Sequence, residues 1–229
     1  MLDFQQNEED MKKYLKILKK CPLFENIEEE KLPILIECLG TKIIHVSKGQ
    51  QIFSEGDKAE DIGILINGNI QVVRDDYLGN RSILANLETG NLFAEAFACS
   101  EIKVLPVSVF AVNDCDIMLI KCERILSPCC NACDFHSKLI HNLVKILANK
   151  NIMLNQKIEV TSKRTTREKL MTYLLGQAKK QGKDSFFIPY DRQGLADYLE
   201  VERSAMSAEI GKLCKEGVIE TKKNWFRII

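Results

Sequence analysis

No stretch of this chain approaches the roughly 18 consecutive apolar residues of a membrane-spanning helix. Its opening, MLDFQQNEEDMKKY, is polar and acidic and has no apolar signal core. These absences lead to the expectation of a cytoplasmic protein with no membrane partner. The chain also lacks a nucleophile elbow, a P-loop and a paired zinc motif, so no enzymatic activity is expected. Net charge is missing too: 32 Lys and Arg balance 32 Asp and Glu, which by itself excludes no partner. The nine cysteines are an odd number, and in a cytosolic chain that argues against a disulfide framework.

What is present reads as globular, with 45% hydrophobic and 28% charged residues over 229 positions. That length allows one large domain or two small ones. The charge is unevenly spread. Residues 164–229 hold 13 Lys and Arg against 9 Asp and Glu, a surplus of four that points weakly to a polyanion partner at that end.

Residues 7–20 have helical spacing, and CPLFENIEEEKLPILIECLG continues it. From 42 to 120 the pattern changes. Short apolar runs such as KIIHV, IGILINGNIQVV, RSILANL, VSVFAV and DIMLI alternate with Gly, Asn and Asp breaks, the mark of an all-β barrel or sandwich. From about 131 a helical period returns. Ile140, Leu143, Leu147, Leu154 and Ile158, with Asn151 in the gap, form one narrow seam. Such a seam fits a partner helix in a parallel homodimer, or else packing on the chain's own barrel.

TSKRT, residues 161–165, breaks the helix. Thr165 and Glu168 then form a capping box for a new helix that should stop at Gly182. SFFIPY follows as a strand, and Asp191 can cap RQGLADYLE. RSAMSAEIGKLCKEG is a second short helix, and VIETKKNWFRII reads as two short strands. Helix, turn, helix and hairpin is the winged helix-turn-helix order. Arg203, Ser204, Ser207 and Ala208 then lie on the outer face of the second helix. An Arg in its first turn can bond a guanine edge bidentately, and Lys212, Lys222, Lys223 and Arg227 can neutralise phosphates.

RQGLADYLEVERSAMSAEIGKLCKEGVI resembles the DNA-binding signature of the CRP/FNR family of bacterial regulators. KGQQIFSEGDKAEDIGILINGNIQVV and GNLFAEAF resemble that family's β-roll, and the long helix resembles its dimerisation helix. The resemblance implies an α+β chain. Its parts are a double-stranded β-helix sensor over 1–126, a dimerisation helix over 127–162 and a winged helix-turn-helix over 163–229. It implies a double-stranded DNA operator and a second copy of the chain as partners. RNA polymerase is a candidate further partner. It also implies that Arg192 and Gln193 stand at the backbone-contacting start of the first helix and that Arg203 reads bases. Ser204 stands where many members have Glu, and Ala208 where the catabolite activator has a second Arg. Glu202 stands where Ser or Thr usually caps the recognition helix. The operator should therefore differ from the familiar ones.

In cyclic-nucleotide-binding members a Gly-Glu pair, whose Glu takes the ribose hydroxyl, is followed ten residues later by Arg-Ser, whose Arg takes the cyclic phosphate. Here the pairs are Ala94-Glu95 and Leu105-Pro106. Leu cannot balance a phosphate, and Pro has no N–H to offer one. Cyclic AMP is therefore not expected. Phe93, Phe97, Leu105 and Val107 suit a small apolar effector of unknown identity, or a pocket filled by side chains. The N-terminal cysteine cluster that carries the iron–sulfur centre of the oxygen-sensing members is absent as well. SPCCNACDFH, residues 127–136, instead puts Cys129, Cys133 and His136 on one helix face, beside Cys130. Packing, a redox thiol and a soft-metal site all fit that spacing. The reading from another functional class is a ligand- or redox-sensing module that acts through protein contacts rather than DNA.

Overall fold

The apolar runs between 42 and 120 form strands, with IGILINGNIQVV split into two at Gly68, in the computed structural model, which describes residues 14–75, 81–127 and 134–229. The chain divides into two compact units, Met1–Leu147 and Ala148–Ile229.

The first unit is built on two four-stranded antiparallel sheets. One has β1 (Lys42–Val46), β8 (Cys115–Lys121), β3 (Asp61–Asn67) and β6 (Leu92–Phe93) in that order. The other has β2 (Gln51–Phe53), β7 (Ser108–Ala111), β4 (Asn69–Asp75) and β5 (Arg81–Glu88). Side chains alternate across a strand, so a strand buried on both faces must be apolar at successive positions. β3 satisfies this. Ile62, Ile64 and Ile66 face a core shared with helices, while Leu65 faces the core between the sheets with Val46, Ile70, Phe93, Val109 and Ile117. β8 divides the same way, with Met118 and Ile120 toward the helices and Cys115 and Ile117 between the sheets.

Gly63 belongs to the inner set. A Cβ there would lie 2.2 Å from Cζ of Phe93, so only glycine lets that ring seat. The helical core is filled by residues 14–18 (α1), α2 (Leu32–Cys38), α3 (Glu95–Ala98), α4 (Cys122–Leu126) and the first half of α5 (Asp134–Thr161). The segment CPLFENIEEEKLPILIECLG is less regular than its spacing suggested. Pro22–Phe24 and Glu29–Lys31 are single 3-10 turns, and only Leu32–Cys38 is α-helical.

The boundary between the units falls inside α5. Leu139 and Leu143 are buried in the first unit's core, and Val160 in the second's. Leu143 thus leaves the expected seam, because α5 carries two apolar faces and Leu143 lies on the inward one. Its neighbour Val144 is 59% exposed within the first unit, and Leu154 and Ile158 are exposed within the second.

In the second unit α6 (Thr166–Gln181) begins at the expected capping box. The Thr165 hydroxyl accepts from Glu168 N, and the Glu168 carboxylate accepts from Thr165 N at 3.0 Å. It ends at Gly182, whose φ of +63° is the left-handed C-cap that glycine adopts without strain. Asp191 caps α7 (Arg192–Leu199) by accepting from Gly194 N at 2.7 Å. α8 (Arg203–Lys215) starts at Glu202, which makes no side-chain cap bond. The strands β9 (Ser185–Phe187), β10 (Ile219–Lys222) and β11 (Trp225–Ile228) form one antiparallel sheet in the order β10-β11-β9, so SFFIPY joins the terminal hairpin.

Candidate functional site

α8 has one apolar and one polar face. Met206, Ile210 and Leu213 are buried against Leu195, Ala196, Leu199 and Phe226. Arg203, Ser204, Ser207, Ala208 and Lys212 lie on the exposed side. The helix is fixed from behind by α6. Arg167 Nη1 lies 3.1 Å from Glu216 Oε1 and 3.4 Å from Glu209 Oε1, and this partner holds the Glu216 carboxyl below its usual range. On the outer face, Arg203 has no partner among the described residues, and Lys212 makes only a 3.4 Å contact to Glu209. Lys222 ends β10, and Lys223 with Asn224 forms the turn to β11. Both lysines are exposed, and Lys223 has φ +55°. Arg227 is 3.5 Å from Glu220, its cross-strand neighbour. The outer face of α8 and this turn therefore offer three cations without a carboxylate partner among the described residues, and Ser204 and Ser207 lie beside the first.

Arg192 behaves differently. Its guanidinium lies 5.0 Å from the Phe226 ring centroid, and Nη2 donates to Thr221 Oγ1 at 3.0 Å. Thr221 in turn donates to the Trp225 carbonyl at 2.9 Å. Nη1 is buried with no hydrogen-bond partner, and burial lowers the guanidinium pKa. Arg192 thus fastens the start of α7 to the β10–β11 hairpin, a role that sequence position alone did not suggest. Gln193 stays exposed and bonds Asp197 Oδ1 at 2.8 Å. Another feature not foreseen is a cluster of Tyr173, Tyr190 and Tyr198, with ring centroids 5.1–6.2 Å apart and Lys157 4.6 Å from the Tyr198 ring.

In the first unit, the expected effector segment is mostly core. Phe93 is buried and packs 5.7 Å from the Phe53 ring. Ala94 has φ +62°, which explains why a glycine suits this position in the resembling proteins. Glu95 opens α3 and is 3% exposed. Leu105 is 2% exposed, and both its backbone groups are used: its N donates to Asp57 O at 3.0 Å and its O accepts from Gly56 N at 2.8 Å. Pro106 is exposed.

His136 is buried, and its Nε2 lies 3.1 Å from the Arg124 carbonyl oxygen, which can only accept, so that nitrogen carries a proton. Cys129, Cys130 and Cys133 lie outside the described residues. Among the described residues no group of three His, Cys, Asp or Glu side chains is placed to hold a metal ion.

Residues 43–127 match the cyclic nucleotide-binding domain family, and residues 168–229 match the Crp-like helix-turn-helix domain family. These two domains in this order place the chain in the CRP/FNR family of regulators. Solved structures with the same fold include the c-di-GMP responsive global regulator CLP of Xanthomonas campestris, at 15% identity and TM-score 0.51, covering 85% of this chain and 97% of that one. The sensor domain of the transcriptional regulator DNR from Pseudomonas aeruginosa aligns at 20% identity and TM-score 0.50, covering 69% of this chain and 99% of that one. No curated protein is similar enough in sequence to match. Among the described residues no helix is long and apolar enough to cross a membrane.

Proposed function

We propose that this chain is a sequence-specific DNA-binding transcriptional regulator that acts as a homodimer and answers to an effector other than cyclic AMP. The observation that carries the reading is the outer face of α8. Its first-turn Arg203 is exposed and unpaired among the described residues, Ser204 and Ser207 stand beside it, and Lys222 and Lys223 sit at the hairpin turn. A major groove admits one helix, and a first-turn arginine reaches a guanine edge there. Gln193, Lys212, Lys222 and Lys223 are assigned to phosphates, which supply affinity without sequence information. Arg192 is assigned a positioning role, holding the hairpin to α7.

Dimerisation rests on α5. Within the second unit Leu154 and Ile158 are 62% and 60% exposed, and within the first unit Val144 is 59% exposed. Leaving such side chains in water forfeits about 1.5–3 kcal/mol each relative to burial. A second copy of the same helix is the simplest cover, because two recognition helices then meet two half-sites about one DNA turn apart.

The test is binding of the purified protein to random duplex DNA as a function of salt. A logarithmic affinity that falls linearly with the logarithm of salt concentration supports the reading. No binding even at low salt would instead favour action through protein contacts.

A further inference from the structure

Among the described residues the fold brings together two cysteines that lie far apart in the sequence. Cys99 follows α3 as its C-cap, and Cys122 opens α4 directly after β8. They are 23 residues apart in the chain, yet their sulfurs lie 2.9 Å from each other. Both are free thiols; Cys122 is buried in the helical core of the first unit, and Cys99 is half-buried against it. Position and partner are set by backbone bonds on both sides. Cys99 N donates to Glu95 O at 3.0 Å, and Cys122 N donates to Glu60 O at 3.0 Å.

We propose that Cys99 and Cys122 are a reversible thiol–disulfide switch, oxidised by peroxide, that ties the end of α3 to the start of α4. A disulfide needs sulfurs about 2.05 Å apart, so closure asks for less than 1 Å of movement. The pair is also chemically uneven. The hydrogen bond from Cys99 holds the Cys122 thiol below its ordinary value, against burial and with help from the Lys103 charge. The same bond, with burial, pushes the Cys99 thiol up. The thiolate, not the thiol, attacks peroxide.

The Cys122 thiolate attacks one peroxide oxygen and the O–O bond breaks. This gives a sulfenic acid and hydroxide, which is protonated to water. The Cys99 sulfur then attacks the sulfenic sulfur, the S–O bond breaks, and the departing hydroxide leaves as water with the Cys99 proton. Two thiols have lost two electrons and two protons, and peroxide has become two waters. A dithiol reductant reverses the bond by exchange. The linkage would fasten α3, whose first residue is Glu95, to the core, and so fix the segment that follows Phe93 and Ala94.

The experiment treats the full reduced protein with near-stoichiometric hydrogen peroxide under native conditions, alkylates the remaining thiols and maps tryptic peptides by mass spectrometry. The expected product joins the peptide 82–103 to the peptide 122–124, with a loss of about 2 Da that dithiothreitol restores. Cys99→Ser and Cys122→Ser should each abolish that species. Unlinked peptides, or linkage of either cysteine to Cys129, Cys130 or Cys133 instead, would overturn the proposal. The wild-type map decides the matter even if a variant folds poorly.

Discussion

In the proposed reading, Arg203 is the residue on which sequence preference turns. It is exposed in the first turn of α8, and its guanidinium is not engaged within the described residues. Arg203→Ala should weaken operator binding by about 1–3 kcal/mol and relax preference at one base pair, while binding to random duplex changes little. Competition titrations with single-base operator variants would show this, and unchanged operator affinity would mean that α8 does not read the groove. Leu105 and Pro106 carry the corresponding argument for the sensor. With the Leu105 amide already bonded to Asp57 O and no amide hydrogen on Pro106, neither can meet a cyclic phosphate. A buried phosphate without a partner is strongly disfavoured. Calorimetry at millimolar cyclic AMP should give no binding isotherm, and a micromolar dissociation constant would refute this reading of the pocket. Gly63 gives a third prediction at this scale. Gly63→Ala would press a methyl group into the Phe93 ring, and overpacking of this kind costs about 1–3 kcal/mol. The loss should appear in urea unfolding followed by circular dichroism, and Phe93→Leu in the same chain should recover part of it.

At the scale of elements, the capping box of α6 was legible from Thr165 and Glu168 alone, as was its stop at Gly182. Each depends on side chains or φ values within four residues. KIIHV is β1 to the residue for a similar reason, since its bounds are set by a pleat and a following turn. Thr165→Ala should destabilise the second unit by about 1 kcal/mol. Glu168 adds a pH dependence. The amide and hydroxyl of Thr165 lower its carboxyl pKa, so its contribution is present above the free-carboxylate range and lost as pH falls through the lowered value. The stability gap between wild type and Glu168→Gln should therefore close in acid, and a gap that widens there would contradict the box. What could not be read locally depended on distant partners. The seam on α5 was assigned Leu143 because spacing cannot tell two adjacent apolar faces apart; only the packed core shows that Leu143 is inward and Val144 outward. Arg192 matched a backbone-contacting position, yet Phe226 and Thr221, far along the chain, capture it. Cys99 and Cys122 were invisible as a pair because the chain runs through β7 and β8, which belong to different sheets, before Cys122 returns beside Cys99.

For the whole molecule, the changes of period near 42 and again near 131 marked where strands begin and where a helical pattern returns, because strands and helices impose different spacings. Where one unit passes into the other was not legible, since α5 is continuous across the division. Leu154→Lys tests the dimer more cleanly than a change at Leu147, which partly packs on the first unit's core. Leu154 is exposed in the single chain, so the variant should fold normally. It should sediment as a monomer and lose operator binding, while weak salt-sensitive binding to random duplex persists. A variant that remains dimeric would place the contact elsewhere.

The exposed row on α5 also bears on gene dosage. If covering Val144, Leu154 and Ile158 requires a second chain, then below the dissociation constant of the pair the paired form grows as the square of the amount synthesised. A twofold change in expression then becomes about a fourfold change in operator-competent protein. The cell could set a threshold for the regulated genes through the supply of this chain alone, before any effector arrives.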